Sequence, residues 1–224
     1  MYLSKVTLKH GPKMCELLSS KTGSDGYVAH QLLWDLFPND GGKKRDFLFH
    51  KEEKRGLPCF LVVSEDQPVE TDALSVQTKS YSPQLTEGQQ LAFTLTANPV
   101  VARKTAGKNN SVKHDVWMDA KKKAQEKNLE GFALAQACET ASKEWLIRQG
   151  ERCGFHLTMD SVLVDGYQQN RFYKGEDPIR YSTIHFEGVL TVTDPEAFTT
   201  MLGEGVGKSK AFGCGLMMVK PNKS

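Results

Sequence analysis

A strict alternation of apolar and polar residues in two segments limits most strongly what this chain can fold into. In 183–193 (TIHFEGVLTVT), every second residue from Ile184 to Val192 is apolar or glycine. The segment 90–98 (QLAFTLTAN) alternates in the same way. A period of two residues is typical of strands that cover one face and expose the other. We therefore predict antiparallel sheets.

The order of predicted elements in the second half repeats a known pattern. The elements are strand 93–102, helix 129–150, strand 156–166, strand 180–193, helix 194–202 and strand 213–219. Asp194 and Pro195 are suited to the N-cap and first turn of the second helix. This βαββαβ order is that of the ferredoxin-like motif. A basic insertion, 103–128, receives no structural assignment from its sequence.

The first half begins with the same pattern. We predict strand 2–9, helix 25–37, which Pro38 ends, and a hairpin over 46–65. The final strand of this half lies near 75–81 or 90–97, and 65–74 has room only for a turn. The expected fold is therefore α+β, with two tandem ferredoxin-like domains (1–98 and 99–224) and antiparallel sheets.

Composition excludes several classes of protein. No window of the 224 residues approaches the roughly 20 apolar residues of a membrane span. The five cysteines are scattered without a CxxC pair, which argues against a disulfide framework and structural zinc. We therefore expect a reducing, cytoplasmic compartment and no membrane partner.

The distribution of charge is more informative than the formal net charge of +2. Between Val101 and Lys127 there are eight Lys or Arg and three acids, and further lysines gather near the C-terminus. Such local basic patches fit an anionic partner held at one face. For 104–128 alone, a solvated loop explains the charge better.

A glycine-rich stretch, GEGVGKSKAFGCG (203–215), resembles a phosphate-binding loop. It is not a Walker loop, because the motif that ends in Gly207-Lys208-Ser209 requires glycine where Leu202 stands. The stretch also follows a helix and leads into a strand, whereas a Walker loop does the reverse. Two interpretations remain: the backbone and lysines contact phosphate, or the glycines let the helix pack tightly on the next strand.

Three polar or aromatic side chains form a second stripe on the first helix. At about 100° per residue, with Val28 at zero, Leu32, Leu36 and Leu33 lie near 40°, 80° and 140° and define the core face. Tyr27, His30 and Trp34 lie near 260°, 200° and 240°. This stripe indicates either a site or a domain interface.

The chemistry of this stripe suits RNA. Histidine can take or give a proton near neutral pH, and tyrosine can orient a ribose hydroxyl. RNA carries its own nucleophile in the 2′-OH, so strand scission needs no metal. A lone histidine on a helix is, however, usually not catalytic.

Several segments together point to one family. They are MYLSKV at the start, Tyr27-x-x-His30 followed by LLWDLFP, RDFLFH (45–50), TANP (96–99), FEGVLTV (186–192) and GVGKSKAFGCGLM. In this combination the chain resembles the CasE-type endoribonucleases of type I-E CRISPR systems, which are RAMP-like proteins. The matches run in order from residue 1 to about 219.

This resemblance implies metal-independent, cofactor-free cleavage of the CRISPR repeat transcript at the base of its stem-loop. The products would carry a 5′-hydroxyl and a 2′,3′-cyclic phosphate. His30 matches the family's acid/base residue and Tyr27 its 2′-OH-orienting residue. The family also retains the mature guide RNA and joins other Cascade subunits.

The resemblance also implies RNA-binding residues. They are Gly205, Gly207, Lys208, Ser209, Lys210 and Gly213 in the glycine-rich stretch, and Arg171, Lys174 and Arg180 in a hairpin over 165–182 that enters the major groove of the stem. In the insertion, Arg103 and Lys104 either touch RNA or are merely exposed.

Two alternatives stay open at this point. A non-catalytic RAMP-like subunit would share the fold and bind RNA without cleaving it. A small metabolic enzyme with a ferredoxin-like fold would need a pocket of converging polar groups, and no acidic pair or metal-ligand cluster in the sequence supports one.

Overall fold

In the part of the chain that the structure describes, two main antiparallel sheets each have one face covered by helix, and two further strands form a separate hairpin. A computed structural model describes residues 1–11, 25–37, 47–104, 111–174 and 177–222. The first unit contains β1 (Tyr2–Leu8), α1 (Asp25–Trp34), β2 (Phe47–Lys54), β3 (Leu57–Ser64) and β4 (Leu74–Ser80). α1 ends at Trp34, three residues before the predicted end, and residues 35–37 form a turn; Pro38 lies outside the described residues.

The first sheet has the strand order β2-β3-β1-β4. In its register, Val6 of β1 lies opposite Phe60 of β3 and Val76 of β4. The face that α1 covers carries the buried residues Val6, Leu8, Phe47, Phe49, Phe60, Val62 and Leu74. Residues 65–73 contain no helix, as the sequence predicted.

The second unit has more elements. They are β5 (Gln90–Ala97), β6 (Val100–Lys104), β7 (Ser111–Asp115), α2 (Val116–Glu126), α3 (Gly131–Cys153), β8 (Phe155–His156), β9 (Val162–Lys174), β10 (Asp177–Val192), α4 (Pro195–Glu204) and β11 (Met217–Pro221). Short 3-10 helices occupy Met159–Ser161 and Lys210–Phe212.

The second sheet runs β11-β5-β10, and both β8 and β9 pair with β10. Its covered face is built from the alternating residues that the sequence indicated. Phe93 and Leu95 of β5 and Phe186 and Leu190 of β10 are all buried against α3 and α4. The two sheets confirm the expected α+β fold with tandem ferredoxin-like topology.

Helix ends in the second unit follow from local chemistry. Asp194 accepts hydrogen bonds from the backbone N–H groups of Glu196 and Ala197, and Pro195 occupies the first turn of α4. Gly154 ends α3 in the left-handed conformation. A side chain there would lie 2.3 Å from the carbonyl oxygen of Asp194, so glycine lets α3 and α4 meet.

Some boundaries differ from the sequence-based expectation. The last strand of the first sheet is Leu74–Ser80, and Gln90–Ala97 lies in the second sheet, so the break between sheets falls before Gln90 and not after residue 98. The pattern of β5 did not reveal which sheet it joins, because either offers a covered face. The predicted strand 213–219 begins only at Met217, since the glycines before it form a turn.

The basic insertion contains a hairpin and a helix. β6 and β7 form a two-stranded hairpin, and α2 follows it and packs on α3. Residues 105–110 lie outside the described part of the chain.

The two units share a small apolar interface. Leu48 and Val63 of the first sheet are buried with Leu216 of the second unit, and Leu3 and Met218 pack against them. Leu48 and Val63 alternate with the core residues of β2 and β3, so they lie on the face of the sheet opposite α1. The units therefore meet through this second face.

Candidate active site

The predicted histidine helix and the predicted glycine-rich stretch come together at the interface between the two units. The helix α1 contacts the 3-10 helix Lys210–Phe212, and β2 contacts the same segment. At Gly213 a Cβ atom would lie only 2.9 Å from the ring of Phe49, and φ is +81°. Only glycine allows both this conformation and this approach. Gly213 therefore lets the glycine-rich stretch approach the first sheet closely, which is a different contact from the helix-on-strand packing that the sequence offered as one interpretation.

His30 is half-buried beside an aromatic cluster. Its ring centroid lies 5.7 Å from that of Trp34, in an edge-on arrangement, and 6.0 Å from that of Phe47. The helical wheel had placed His30 far from the core face. In the structure Ala29, Leu33 and Leu36 are the buried residues of this segment, so the core face is shifted toward His30 and the histidine lies at its edge.

Tyr27 precedes His30 by three residues on α1. Residues three apart on a helix lie on the same face, so the two positions are neighbours. The structure describes the backbone of Tyr27 and not its side chain.

The three polar residues of the glycine-rich stretch differ in environment. Lys208 is exposed, and its backbone bridges to Asn98 at the end of β5. Ser209 has a left-handed backbone (φ +58°), which is uncommon for a residue other than glycine. Its hydroxyl oxygen accepts a hydrogen bond of 2.6 Å from the Asn98 amide. The stretch is thus held in a strained, well-defined shape.

Lys210 ties the stretch to the helix before it. Its Nζ donates to the carbonyl oxygen of Glu204, at the end of α4, over 2.5 Å. Burial lowers the pKa of Lys210, the charge of Lys208 adds to this effect, and Glu204 opposes it. Gly205 and Gly207, like Gly213, have positive φ angles.

A cleft of about 760 Å³ opens beside this junction. Its walls include Phe47, Ser64, Gly203, Lys210 and Ala211, which come from both units. Lys210 and Phe47 therefore lie on walls of the same cleft. The ring of Phe47 lies beside that of His30.

The predicted RNA-binding hairpin is present as β9 and β10. Arg171 and Arg180 lie directly opposite each other in the antiparallel register, and both are exposed. Lys174 lies opposite Asp177 at the end of the ladder, and the structure describes only its backbone. Residues 175 and 176 lie outside the described part.

Hydrogen bonds that Asp115 accepts join the insertion to the base of this hairpin. Asp115 caps α2 by accepting from the N–H of Met118, and it also accepts from the hydroxyl groups of Ser182 and Tyr167. The ring of Tyr167 stacks on Trp117, with centroids 5.0 Å apart. Sequence reasoning missed this role because the partners lie far apart along the chain.

Arg103 of the insertion is engaged within the protein. Its guanidinium donates to Asp119 over 2.6 Å, and Lys123 donates to the same carboxylate. Burial raises the pKa of Asp119, but these two cations outweigh it and hold the pKa below its usual value. The side chain of Lys104 is not described. That these residues contact RNA stays a prediction.

The described residues contain neither a metal-binding cluster nor a membrane-spanning helix. No group of three or more His, Cys, Asp or Glu side chains is arranged to hold a metal ion. Among the described helices, none is long and apolar enough to span a membrane.

The chain consists of two ferredoxin-like units, with the histidine helix on one side of their junction and the basic glycine-rich stretch on the other. This arrangement is that of tandem ferredoxin-like proteins, the class that includes the RAMP-like proteins. The family model of CRISPR-associated proteins matches residues 1–221, and the chain belongs to this family. It is 32% identical to the Cascade subunit CasE of Escherichia coli K12, over 99% of this chain and all of that one. It is also 32% identical to the CRISPR-associated endoribonuclease Cse3 of Thermus thermophilus, over 80% of this chain and 82% of that one.

Solved structures agree with this assignment. The crystal structure of Cas6e from E. coli K-12 matches with a TM-score of 0.66 and 28% identity, over 99% of this chain and all of that one. Cse3 bound to a 19-nucleotide RNA matches with a TM-score of 0.70 and 25% identity, over the same shares. T. thermophilus Cse3 bound to RNA in a pre-cleavage complex matches with a TM-score of 0.69 and 26% identity, over 98% of both chains.

Proposed function

We propose that this chain is the metal-independent endoribonuclease that processes the repeat RNA of a type I-E CRISPR system. The observation that carries the proposal is the contact between α1, which bears Tyr27 and His30, and the basic glycine-rich stretch. The relatives named Cascade subunit CasE and endoribonuclease Cse3 support it, as does the likeness to Cse3 bound to RNA. The substrate is the stem-loop of the repeat, cut at the base of its stem.

The reaction needs only groups of the RNA and the protein. The 2′-oxygen attacks the adjacent phosphorus, and the bond from phosphorus to the 5′-oxygen breaks. The 2′-OH loses its proton and the 5′-oxygen gains one, which leaves a 2′,3′-cyclic phosphate and a 5′-hydroxyl. His30 serves one of these proton transfers, and Tyr27, one helical turn away, orients the 2′-OH.

The glycine-rich stretch stabilises the charge that develops on the phosphate. Lys208 is exposed and Lys210 lines the cleft, so both can face an anion there. Ser209 and the backbone N–H group of Gly207 add hydrogen-bond donors. The N–H groups of Gly205 and Gly213 donate to the carbonyl oxygens of Met201 and Lys210, so these two glycines shape the stretch. Donors held in place before the reaction stabilise a transition state most, because they need no reorganisation.

The hairpin of β9 and β10 binds the RNA stem. Arg171 and Arg180 lie opposite each other, and like charges in such a pair repel. A phosphate backbone between or beside them removes this repulsion, so the pair suits a polyanion. Lys174 extends the basic edge toward the tip.

We infer that the chain retains the mature guide RNA after cleavage and joins other Cascade subunits; its E. coli relative is named a Cascade subunit. It works in the cytoplasm, where reducing conditions suit its described cysteines, which are free. Slow release follows from many phosphate contacts, each of which salt weakens.

The first test measures cleavage of the cognate repeat RNA in EDTA by the wild type, His30→Ala and the control His156→Ala. His156 is exposed on β8, away from α1. We expect one cut by the wild type and the control. We expect His30→Ala to bind with unchanged affinity and to cleave at least about 100-fold more slowly, the scale of general acid–base catalysis.

Other outcomes point elsewhere. Binding without cleavage by all three proteins would identify a non-catalytic RNA-holding subunit. Failure of the wild type to bind repeat RNA would contradict the proposed function altogether.

A further inference from the structure

Asn98 is a buried polar residue with an incompletely paired side chain. It follows β5 directly, within the TANP segment, and only 6% of its surface is exposed. Its Oδ1 is buried and has no hydrogen-bond partner among the described residues. Other buried polar residues, such as Ser142 and Ser182, have partners. Because an unpaired buried amide oxygen is costly, the position calls for an explanation.

The other end of the same amide is fully engaged. Nδ2 of Asn98 donates to the hydroxyl oxygen of Ser209 over 2.6 Å. A serine hydroxyl has a single hydrogen. Since this oxygen acts as acceptor toward Asn98, its hydrogen remains to be donated to another group. Ser209 therefore presents a donor, and Lys208 and Lys210 flank it.

The backbone of Asn98 also shapes the stretch. It bridges to Lys208, and a Cβ atom at Gly207 would lie 3.2 Å from the Asn98 carbonyl oxygen and 3.3 Å from the Trp145 ring. With φ at +83°, Gly207 is the residue that allows this approach. The stretch thus rests on a strand end of the second sheet, which is a rigid support.

We propose that Asn98 is a positioning residue for RNA cleavage, which holds the Ser209 hydroxyl with its hydrogen directed at a non-bridging oxygen of the scissile phosphate. The proposal rests on the proposed function of the same site. Asn98 itself touches no reacting atom. Its effect is to prevent the Ser209 hydroxyl from turning away or from serving as acceptor only, so the donor is in place before charge develops on the phosphate.

The opposite orientation of the amide gives a different result. If Oδ1 faced Ser209, the hydroxyl would donate to Asn98 and would have no hydrogen for the phosphate. Asn98→Asp imposes this arrangement at unchanged volume, because a carboxylate can only accept. The aspartate variant therefore separates the donor function of Asn98 from its packing.

The experiment measures single-turnover cleavage of the repeat RNA by Asn98→Ala, Asn98→Asp, Ser209→Ala and the double variant Asn98→Ala/Ser209→Ala. Ser4→Ala is the control, because Ser4 is a buried hydroxyl of the first sheet, bonded to Thr78. Binding is measured with RNA that carries a 2′-deoxy sugar at the cleavage site. A second series replaces each non-bridging oxygen of the scissile phosphate by sulfur.

We expect each single variant to cleave at least about tenfold more slowly, with binding changed less than about threefold. The double variant should cleave no more slowly than the single variants, because both remove one interaction. Sulfur at one of the two non-bridging positions should lower the cleavage rate of the wild type. In all Asn98 and Ser209 variants, the ratio of the rate with oxygen to the rate with sulfur at that position should fall toward one. A residue that acts only on folding would leave the sulfur effect unchanged.

Cleavage at the wild-type rate by either Asn98 variant would overturn the proposal, and so would losses that multiply in the double variant. If Asn98→Ala does not fold, Asn98→Asp and Ser209→Ala decide the question by the same sulfur effect. A wild type that does not cleave repeat RNA would contradict the proposed function and not this inference alone.

Discussion

Gly213 lies where the glycine-rich stretch packs against the first sheet, and its lack of a side chain permits this close contact. Its φ is +81°, and a Cβ atom there would lie 2.9 Å from the ring of Phe49 in the first unit. Gly88 has a similar φ, +78°, but nothing lies within 4 Å of the corresponding Cβ position. The two glycines therefore share the same backbone requirement and differ in the contact.

We predict that Gly213→Ala destabilises the protein more than Gly88→Ala. Both variants carry the strain of a left-handed alanine, about 1–2 kcal/mol. Gly213→Ala adds a clash with Phe49 of about 1–3 kcal/mol, on the scale of overpacked cores. Only Gly213→Ala should also slow cleavage of repeat RNA, since it displaces the glycine-rich stretch from α1. Chemical denaturation and single-turnover cleavage check this, and equal effects of the two substitutions would contradict it.

Sequence reasoning at this scale found positions but not contacts. The local amino-acid sequence was enough to recognise the spacing of Tyr27 and His30 and the basic glycine-rich stretch. The role of Asn98 could not, because its partner Ser209 is distant in sequence and no local pattern encodes their hydrogen bond. The helical wheel placed His30 off the core face, but the buried Leu33 lies only about 60° from it on the wheel, and in the structure His30 is half-buried.

Among the elements, the long hairpin of β9 and β10 combines an exposed position with a like-charged cross-strand pair. Arg171 and Arg180 lie opposite each other near its end. Like charges opposite each other repel, and we expect the same pair to bind phosphate when RNA is present. Reversing the charge of one of the two arginines should therefore raise the stability of the free protein and lower its affinity for RNA.

We predict that Arg180→Glu stabilises the free protein by about 0.2–1 kcal/mol, because an opposite-charge pair replaces a repulsive one. The same substitution should weaken repeat binding by at least about tenfold and reduce its salt dependence by one to two phosphate contacts. Lys79→Glu is the matched control, an equal change of charge on an exposed residue of β4. Thermal unfolding and binding at several salt concentrations measure both effects, and comparable weakening by Lys79→Glu would argue against a specific role for the hairpin.

Elements with strict periodicity were predictable and the insertion was not. The alternation in β5 and β10 and the Asp194-Pro195 start of α4 identified the second unit from sequence. In α2, lysines dominate the pattern, and its attachment depends on contacts of Asp115 and Trp117 with the hairpin. These contacts are long-range, so no structural assignment for 103–128 followed from the sequence, and a solvated loop explained the charge of 104–128 better.

For the whole molecule, a small apolar contact joins the two units beside the candidate site. Leu48 is 4% exposed and packs with Val63 and Leu216 across the interface. Leu74 is equally buried but lies inside the first unit. The same substitution at both positions should lower stability to a similar extent, but only at Leu48 should it also change how the two units are placed relative to each other.

We predict that Leu48→Ala and Leu74→Ala each lower stability by about 2–5 kcal/mol, as expected for buried leucines. At a temperature at which both variants remain folded, Leu48→Ala should cleave repeat RNA more slowly than Leu74→Ala, while hairpin-dependent binding is retained in both. Differential scanning calorimetry and single-turnover cleavage measure the two quantities. Equal cleavage rates would show that this contact does not set the geometry of the site.

The division of the site between α1 and the glycine-rich stretch also sets an order in time. During translation the histidine helix leaves the ribosome first, and the glycine-rich stretch follows after most of the chain has been made. At ordinary elongation rates the interval is on the order of ten seconds or more. We therefore expect a nascent chain to cleave no RNA until the glycine-rich stretch has been synthesised and has folded back onto α1.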